Sequence, residues 1–177
     1  MEWTGARYAD KPTVEVRTWI AAPPEQVWTL VSDIELMPRM SSELQSVEWL
    51  DGRTTPALGA RFIGRSKHKA LGEWATTSHI VECEPPRVLA WAVENRQNPT
   101  AIWRFTLEPQ GGGTLLSEWM QMGPARSGLS FAIDRMPEKE QKIVFVRMRE
   151  FEANMTITLE EIKKLAERAR PAGEARL

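Results

Sequence analysis

The hydrophobic rhythm of the chain changes between Val14 and Ile34. Val14, Val16, Thr18 and Ile20 alternate with Glu15, Arg17 and Trp19, the two-residue period of a half-buried strand. After Ala22-Pro23-Pro24 the period becomes helical, with Val27, Trp28, Leu30, Val31 and Ile34 on one side. The two prolines suit a helix start, where a backbone N–H needs no partner, and Glu25 adds a favourable charge to that first turn. Pro38 then interrupts the helix and begins another short turn.

Six further strands follow in the alternation. Residues 44–50 read as a strand ending at the turn Asp51-Gly52. In residues 60–69, Phe62, Gly64, Ser66 and His68 share one side and a mostly charged set shares the other, so the first set is expected inward. Residues 73–83 form a long strand closed by Pro85-Pro86, and residues 88–94 an apolar one. Trp103, Phe105 and Leu107 alternate with Arg104 and Thr106 in residues 102–107. The run Gln110-Gly111-Gly112-Gly113 is a hairpin turn leading to a last strand at 114–122.

The pattern then turns helical for good. Residues 124–137 read as a loop or short helix with its own apolar positions. Between residues 138 and 168, Val144, Met148, Phe151, Met155, Leu159, Ile162 and Ala166 recur at three- and four-residue steps. That predicts one amphipathic helix of about 30 residues, roughly 45 Å long, stopped by Pro171. Residues 1–12 and 169–177 read as loose tails on a single domain spanning 1–177. Consecutive hairpins imply an antiparallel sheet, and a long helix laid on its concave side buries both apolar faces. The expected class is α+β: a curved seven-stranded sheet in the order β-α-α-β6-α, wrapped around a C-terminal helix.

Composition narrows the reading. The net charge of −1 over 177 residues gives no basic excess for nucleic acid. Cys83 stands alone, so no internal disulfide forms, which fits a reducing cytoplasm. No signal segment or spanning apolar run is present, so stable membrane insertion is not expected and a cytoplasmic location is. Eight Trp and eight Met against one Tyr suit either an irregular apolar pocket or an ordinary tryptophan-rich core.

Several segments together resemble the START/Bet v 1-like superfamily, and within it the polyketide cyclase/dehydrase-type proteins. They are Ile20-Ala21-Ala22-Pro23-Pro24-Glu25-Gln26-Val27-Trp28, Ser32-Asp33-Ile34, Val47-Glu48-Trp49-Leu50-Asp51-Gly52 with Gly59-Ala60-Arg61-Phe62, Glu84-Pro85-Pro86-Arg87, and Trp103-Arg104-Phe105-Thr106-Leu107-Glu108-Pro109 with Gly113-Thr114. The resemblance implies a helix-grip fold with a deep apolar cavity that binds a hydrophobic small molecule. Its lining is expected from Trp28, Met37, Phe62, Ser66, Trp74, Ser78, Trp91, Trp103, Met120, Met148, Phe151 and Met155. Superfamily members differ in function, so three readings stand: a cyclase or dehydrase, a non-catalytic lipid carrier, and a chaperone-associated or interaction domain with a filled core.

No nucleophile elbow, zincin motif, phosphate loop or dinucleotide fingerprint occurs, and no cofactor is implied. The histidines, His68 and His79, lack the further ligands of a catalytic zinc site, so no metal is expected. Proton-transfer chemistry is left, with Glu118 and His68 as catalytic candidates and Arg104 and Glu73 weighed beside them. Leu116, Glu118, Met120 and Met122 share one face of the last strand; Leu115, Ser117 and Trp119 share the other. If the first face is inward, Glu118 is a desolvated acid; if the second, it pairs with a surface base. Leu129, Phe131 and Ile133 are candidates for an apolar gate at the cavity entrance. Ile143, Val146, Glu150 and Ile157 lie off the main helix stripe, a second face that a homodimer would bury.

Overall fold

The computed structural model describes residues 1–168. Seven strands form one antiparallel sheet: β1 (Thr13–Ile20), β2 (Leu44–Trp49), β3 (Arg61–His68), β4 (Gly72–Glu84), β5 (Val88–Val93), β6 (Ala101–Gln110) and β7 (Gly113–Met122). Their spatial order is β1-β7-β6-β5-β4-β3-β2, so the first strand of the chain pairs with the last. Helices α1 (Pro24–Val31) and α2 (Met37–Met40) follow β1, α3 (Gly128–Arg135) follows β7, and α4 (Glu140–Arg168) closes the fold. This is the expected α+β arrangement, with strand ends displaced by one to three residues and α4 beginning at Glu140 after a 3-10 turn at Pro137–Lys139.

Local chemistry accounts for the elements. Pro23 holds the extended conformation ahead of α1 and Pro24 occupies its first position. Register shifts between Leu44 and Ser46 and between Ile80 and Glu82 bend β2 and β4 and help curl the sheet. β1 is an edge strand, and α4 covers it: Lys163 Nζ donates to the Trp19 carbonyl at 2.8 Å, and Glu167 Oε1 accepts from the Ala21 N–H at 3.0 Å. Gln26 Nε2 donates to the Ala166 carbonyl at 2.7 Å and ties α1 to the same helix end.

The core has two lobes. The larger includes Ile20, Val27, Ile34, Phe62, Ile80, Leu89, Phe105 and Leu116 with Leu159, Ile162 and Ala166 of α4. The smaller joins Val14, Met120 and Met122 to Val144, Met148 and Met155. Val16, Ala101 and Trp103 touch both lobes and mark the seam between them.

The amino-terminal lead-in, expected as a loose tail, makes local contacts with the folded body around Tyr8. Tyr8 is buried in the smaller lobe, its hydroxyl donates to the Ala125 carbonyl at 2.6 Å, and its N–H donates to Glu140 Oε1 at 3.1 Å. The Trp3 ring packs edge-on to Phe145 with centroids 5.0 Å apart. Tyr8 buries aromatic area on the core, a tertiary gain that alternation does not display, while Trp3 stays more than half exposed. The expected tail at 169–177 lies outside the described residues. No helix among the described residues is long and apolar enough to cross a membrane.

Candidate functional site

The inner face of the sheet is built by alternation. Val16 of β1 and Phe105 of β6 are the Cα partners of Glu118 on β7. Leu116 and Met120, two residues either side of Glu118, are fully buried toward the helix. Glu118 therefore points inward with them, which decides between the two phases left open by the sequence. It is 6% exposed, and its Oε2 is sealed from solvent without a hydrogen-bond partner. Burial disfavours its charged form and pushes the carboxyl up to about 8. At neutral pH it is a protonated acid in an apolar wall.

An aromatic row leads to it. Trp49 on β2, Phe62 on β3, Trp91 on β5 and Phe105 on β6 follow one another with ring centroids 5.7, 5.9 and 6.0 Å apart. Ser78 on β4, opposite Phe62, is small enough to let Phe62 and Trp91 meet. From the helix side Phe151 packs at a right angle against Trp103, centroids 5.4 Å apart. Of the expected lining, Phe62, Ser78, Trp91, Met120, Met148 and Met155 are buried; Trp28, Met37, Ser66, Trp74, Trp103 and Phe151 remain half-buried. A slot of about 120 Å³ opens between β1 and α4, lined by Val16, Arg17, Thr18, Thr156, Leu159 and Glu160. It abuts Val16, the cross-strand neighbour of Glu118. That slot alone is smaller than the roughly 300–1,000 Å³ of an ordinary small-molecule pocket.

His68 sits elsewhere. It ends β3, four strands from β7 in the sheet, or roughly 19 Å at the usual strand spacing. Its Nε2 lies 3.5 Å from Glu150 Oε1 on α4, and its Nδ1 accepts from the Ala70 N–H at 3.1 Å. It therefore belongs to a rim cluster and not to the acid's surroundings. At the centre of that cluster is Arg147, 6% exposed. Its two terminal nitrogens donate to the two Glu43 carboxylate oxygens at 2.6 and 2.7 Å, and Nη1 donates to Glu150 Oε2 at 2.9 Å. Asn154 Nδ2 donates to Glu43 at 3.2 Å, and the guanidinium lies 4.2 Å from the Phe151 ring centroid. Burial works to lower the Arg147 pKa, but the Glu43 and Glu150 carboxylates outweigh it and hold it above its ordinary value.

Glu43, His68 and Glu150 bring ligand-type atoms within 4.8 Å of one another. The two carboxylates are already spent on a buried guanidinium, so the group is an ion-pair network. Sequence reasoning missed Arg147 and Glu43. A signal existed for Arg147: it stands three residues after Val144 and four before Phe151, inside the apolar stripe.

The remaining candidates fall on surfaces. Arg104 bonds Glu82 and lies over the Trp119 ring on the convex face, and Glu73 pairs with Lys67 at 2.8 Å. His79 Nε2 is 3.1 Å from the Glu94 carbonyl oxygen. Leu129 and Ile133 pack into the smaller lobe, whereas Phe131 is 68% exposed and faces away from it. Val146 and Ile157 on α4 are each 46% exposed.

The family profile described as polyketide cyclase / dehydrase and lipid transport matches residues 11–167, nearly all of the described chain. The chain belongs to this family. A polyketide cyclase-like protein from Corynebacterium glutamicum is 28% identical over 92% of this chain and 97% of its own, with a TM-score of 0.64. The ZhuI aromatase/cyclase of a Streptomyces species is 19% identical over 93% of this chain and 99% of its own, with a TM-score of 0.63. The di-domain aromatase/cyclase StfQ of the steffimycin pathway is 15% identical over 88% of this chain and 50% of its own, at a TM-score of 0.67. The last two likenesses are of fold: the Bet v 1-like helix-grip frame of the family is the frame found here. No significant match to a curated protein sequence is found.

Proposed function

We propose that this member of the polyketide cyclase/dehydrase family binds a hydrophobic aromatic or polyketide-like molecule between the concave sheet and α4, and that Glu118 carries protons in a cyclisation or dehydration there. The observation that carries the reading is the buried, unpartnered carboxyl of Glu118 in an otherwise apolar wall. Leaving such an oxygen unmet costs stability, about 1–3 kcal/mol, and functional sites are where that cost recurs.

The chemistry follows from the protonation state. A carboxyl held at about 8 is an acid at pH 7. In a dehydration it gives its proton to a departing hydroxyl, the C–O bond breaks, and water leaves. The resulting carboxylate takes a proton from the adjacent carbon as the double bond forms, which restores the acid. In an aldol closure the same group protonates the ketone oxygen as the substrate's enol carbon bonds to the ketone carbon, and the resulting carboxylate takes up the proton released by the enol hydroxyl as that oxygen becomes a carbonyl, which restores the acid. Met120, Met148 and Met155 are packed in the smaller lobe, and as unbranched, adaptable side chains they are the groups that would repack to admit a ligand larger than the slot.

The test uses the whole chain and its Glu118→Gln variant with an aryl β-hydroxyketone, following binding by calorimetry and dehydration by absorbance. The expected result is retained binding and a rate lower by about two orders of magnitude or more in the variant. Binding without turnover by either form supports the carrier reading instead. No binding by either form overturns the proposal.

A further inference from the structure

Glu118 has four neighbours on its own face of the sheet. Leu116 and Met120, two residues either side along β7, are fully buried, and so is Phe105 across on β6. Val16, across on β1, is only half-buried. Val16 touches both lobes of the core and also lines the slot between β1 and α4. Paired residues on adjacent strands hold their Cβ atoms about 5 Å apart. One side chain, Val16, therefore has the slot on one flank and the Glu118 carboxyl on the other. The slot is mixed in character: beside Val16 and Leu159 its lining includes Arg17, Thr18, Thr156 and Glu160. Hydroxyls and charges give water the polar partners it needs, and a slot of about 120 Å³ exceeds the roughly 30 Å³ that one water occupies in the liquid.

We infer that the slot between β1 and α4 is the route by which water and protons reach Glu118, and that Val16 is its gate. The inference rests on the proton-carrying role proposed above and concerns how solvent reaches that group. Of the four in-sheet neighbours, Val16 alone is open to solvent. β1 is an edge strand, so a small outward movement there breaks no strand pairing on the slot side. A water that passes Val16 meets the unpartnered Oε2, and a hydrogen bond to that buried oxygen compensates its entry. There the carboxyl proton passes to water and a solvent proton returns. Water expelled in the dehydration leaves by the same opening. The slot is too small for the organic ligand, so solvent exchange and ligand entry use different openings.

The experiment transfers the full chain into D2O at about pH 6, where exposed carboxyls are ionised and Glu118 keeps its proton. Time-resolved infrared spectroscopy follows deuterium uptake at the carboxylic-acid C=O band, identified by its absence in Glu118→Gln. Val16→Ala widens the gate and should speed uptake about ten-fold or more. Val14→Ala makes the same truncation two residues along the same face, in a buried position off the slot, and should change uptake by less than about three-fold. Thr156→Leu fills the slot from α4 and should slow uptake about ten-fold. Thr156 is exposed, so this variant reports even where Val16→Ala fails to fold. Uptake raised equally by Val14→Ala and Val16→Ala overturns the inference, as does uptake unmoved by Thr156→Leu. The absence of any Glu118-dependent acid band overturns the proton-carrying proposal itself.

Discussion

Phe105 and Glu118 are paired across β6 and β7, so an aromatic ring stands where a surface carboxyl would have a base. Val16 takes the corresponding position on the other side. Cross-strand neighbours of this kind lie about 5 Å apart at Cβ, close enough to exclude water and too apolar to stabilise charge. That arrangement is the cause of the raised carboxyl.

The sign of the resulting pH dependence follows. In the unfolded chain Glu118 ionises at the ordinary carboxylate value of 4.5, while in the folded chain it holds its proton to about 8. Between those values the folded state binds more protons, so stability falls as pH rises and levels off above the folded pKa. Relative to Glu118→Gln, the unaltered chain should lose on the order of 2–3 kcal/mol between pH 4.5 and pH 7. Urea denaturation of both proteins across that range measures the difference. Parallel curves would show that the carboxyl is solvated after all.

Arg147 should behave as a buried charge held by its partners. Arg147→Met strands the Glu43 carboxylate and is expected to cost about 3–5 kcal/mol. Adding Glu43→Gln removes the stranded charge and should recover a good part of that loss, a coupling that a double-mutant cycle reads. Independent, additive costs would mean the pair is solvent-screened.

Gly113 and Gly64 separate two kinds of close approach. A Cβ at Gly113 would stand 2.3 Å from the Ile20 carbonyl oxygen and 2.7 Å from the Trp19 ring. Backbone cannot yield there, so Gly113→Ala should cost roughly 3 kcal/mol or more. At Gly64 the neighbour is the Leu44 Cδ1 methyl at 3.2 Å, the free end of a flexible side chain. Gly64→Ala should cost near 1 kcal/mol. Thermal unfolding of the two variants gives the ranking.

The Thr114 hydroxyl donates to the Ala22 carbonyl at 2.7 Å in a fully buried position, tying β7 to the strand–proline–helix junction. Thr114→Val keeps the shape and leaves that carbonyl unmet, for an expected loss of about 1–2 kcal/mol. Phe131→Ser, by contrast, exchanges a ring that is already 68% exposed and should leave the unfolding midpoint nearly unchanged. A large loss at Phe131 would reveal a covered site on α3.

Much of the architecture was legible because strands and helices write different periods. The change of period after Pro24, the Gly111–Gly113 turn and the stripe from Val144 to Ala166 each depend on neighbours in sequence, and each appears where expected. The inner faces of β3 and β6 were readable for the same reason, since charge marked their outer sides. β7 was not: both of its faces carry apolar residues, Leu115 and Trp119 on one and Leu116 and Met120 on the other, so alternation named two phases and chose neither.

The order of strands, helices and turns, and the family to which the chain belongs, are thus properties of the sequence by itself, because local periodicity and motif spacing carry them. Three things were decided only in the tertiary structure. They are the burial of Glu118 beside Val16 and Phe105, the capture of Arg147 by a glutamate about a hundred residues away, and the docking of Tyr8 against the chain beyond β7. Each depends on what long-range packing places around a charge or a ring, and no window of neighbouring residues contains that surrounding.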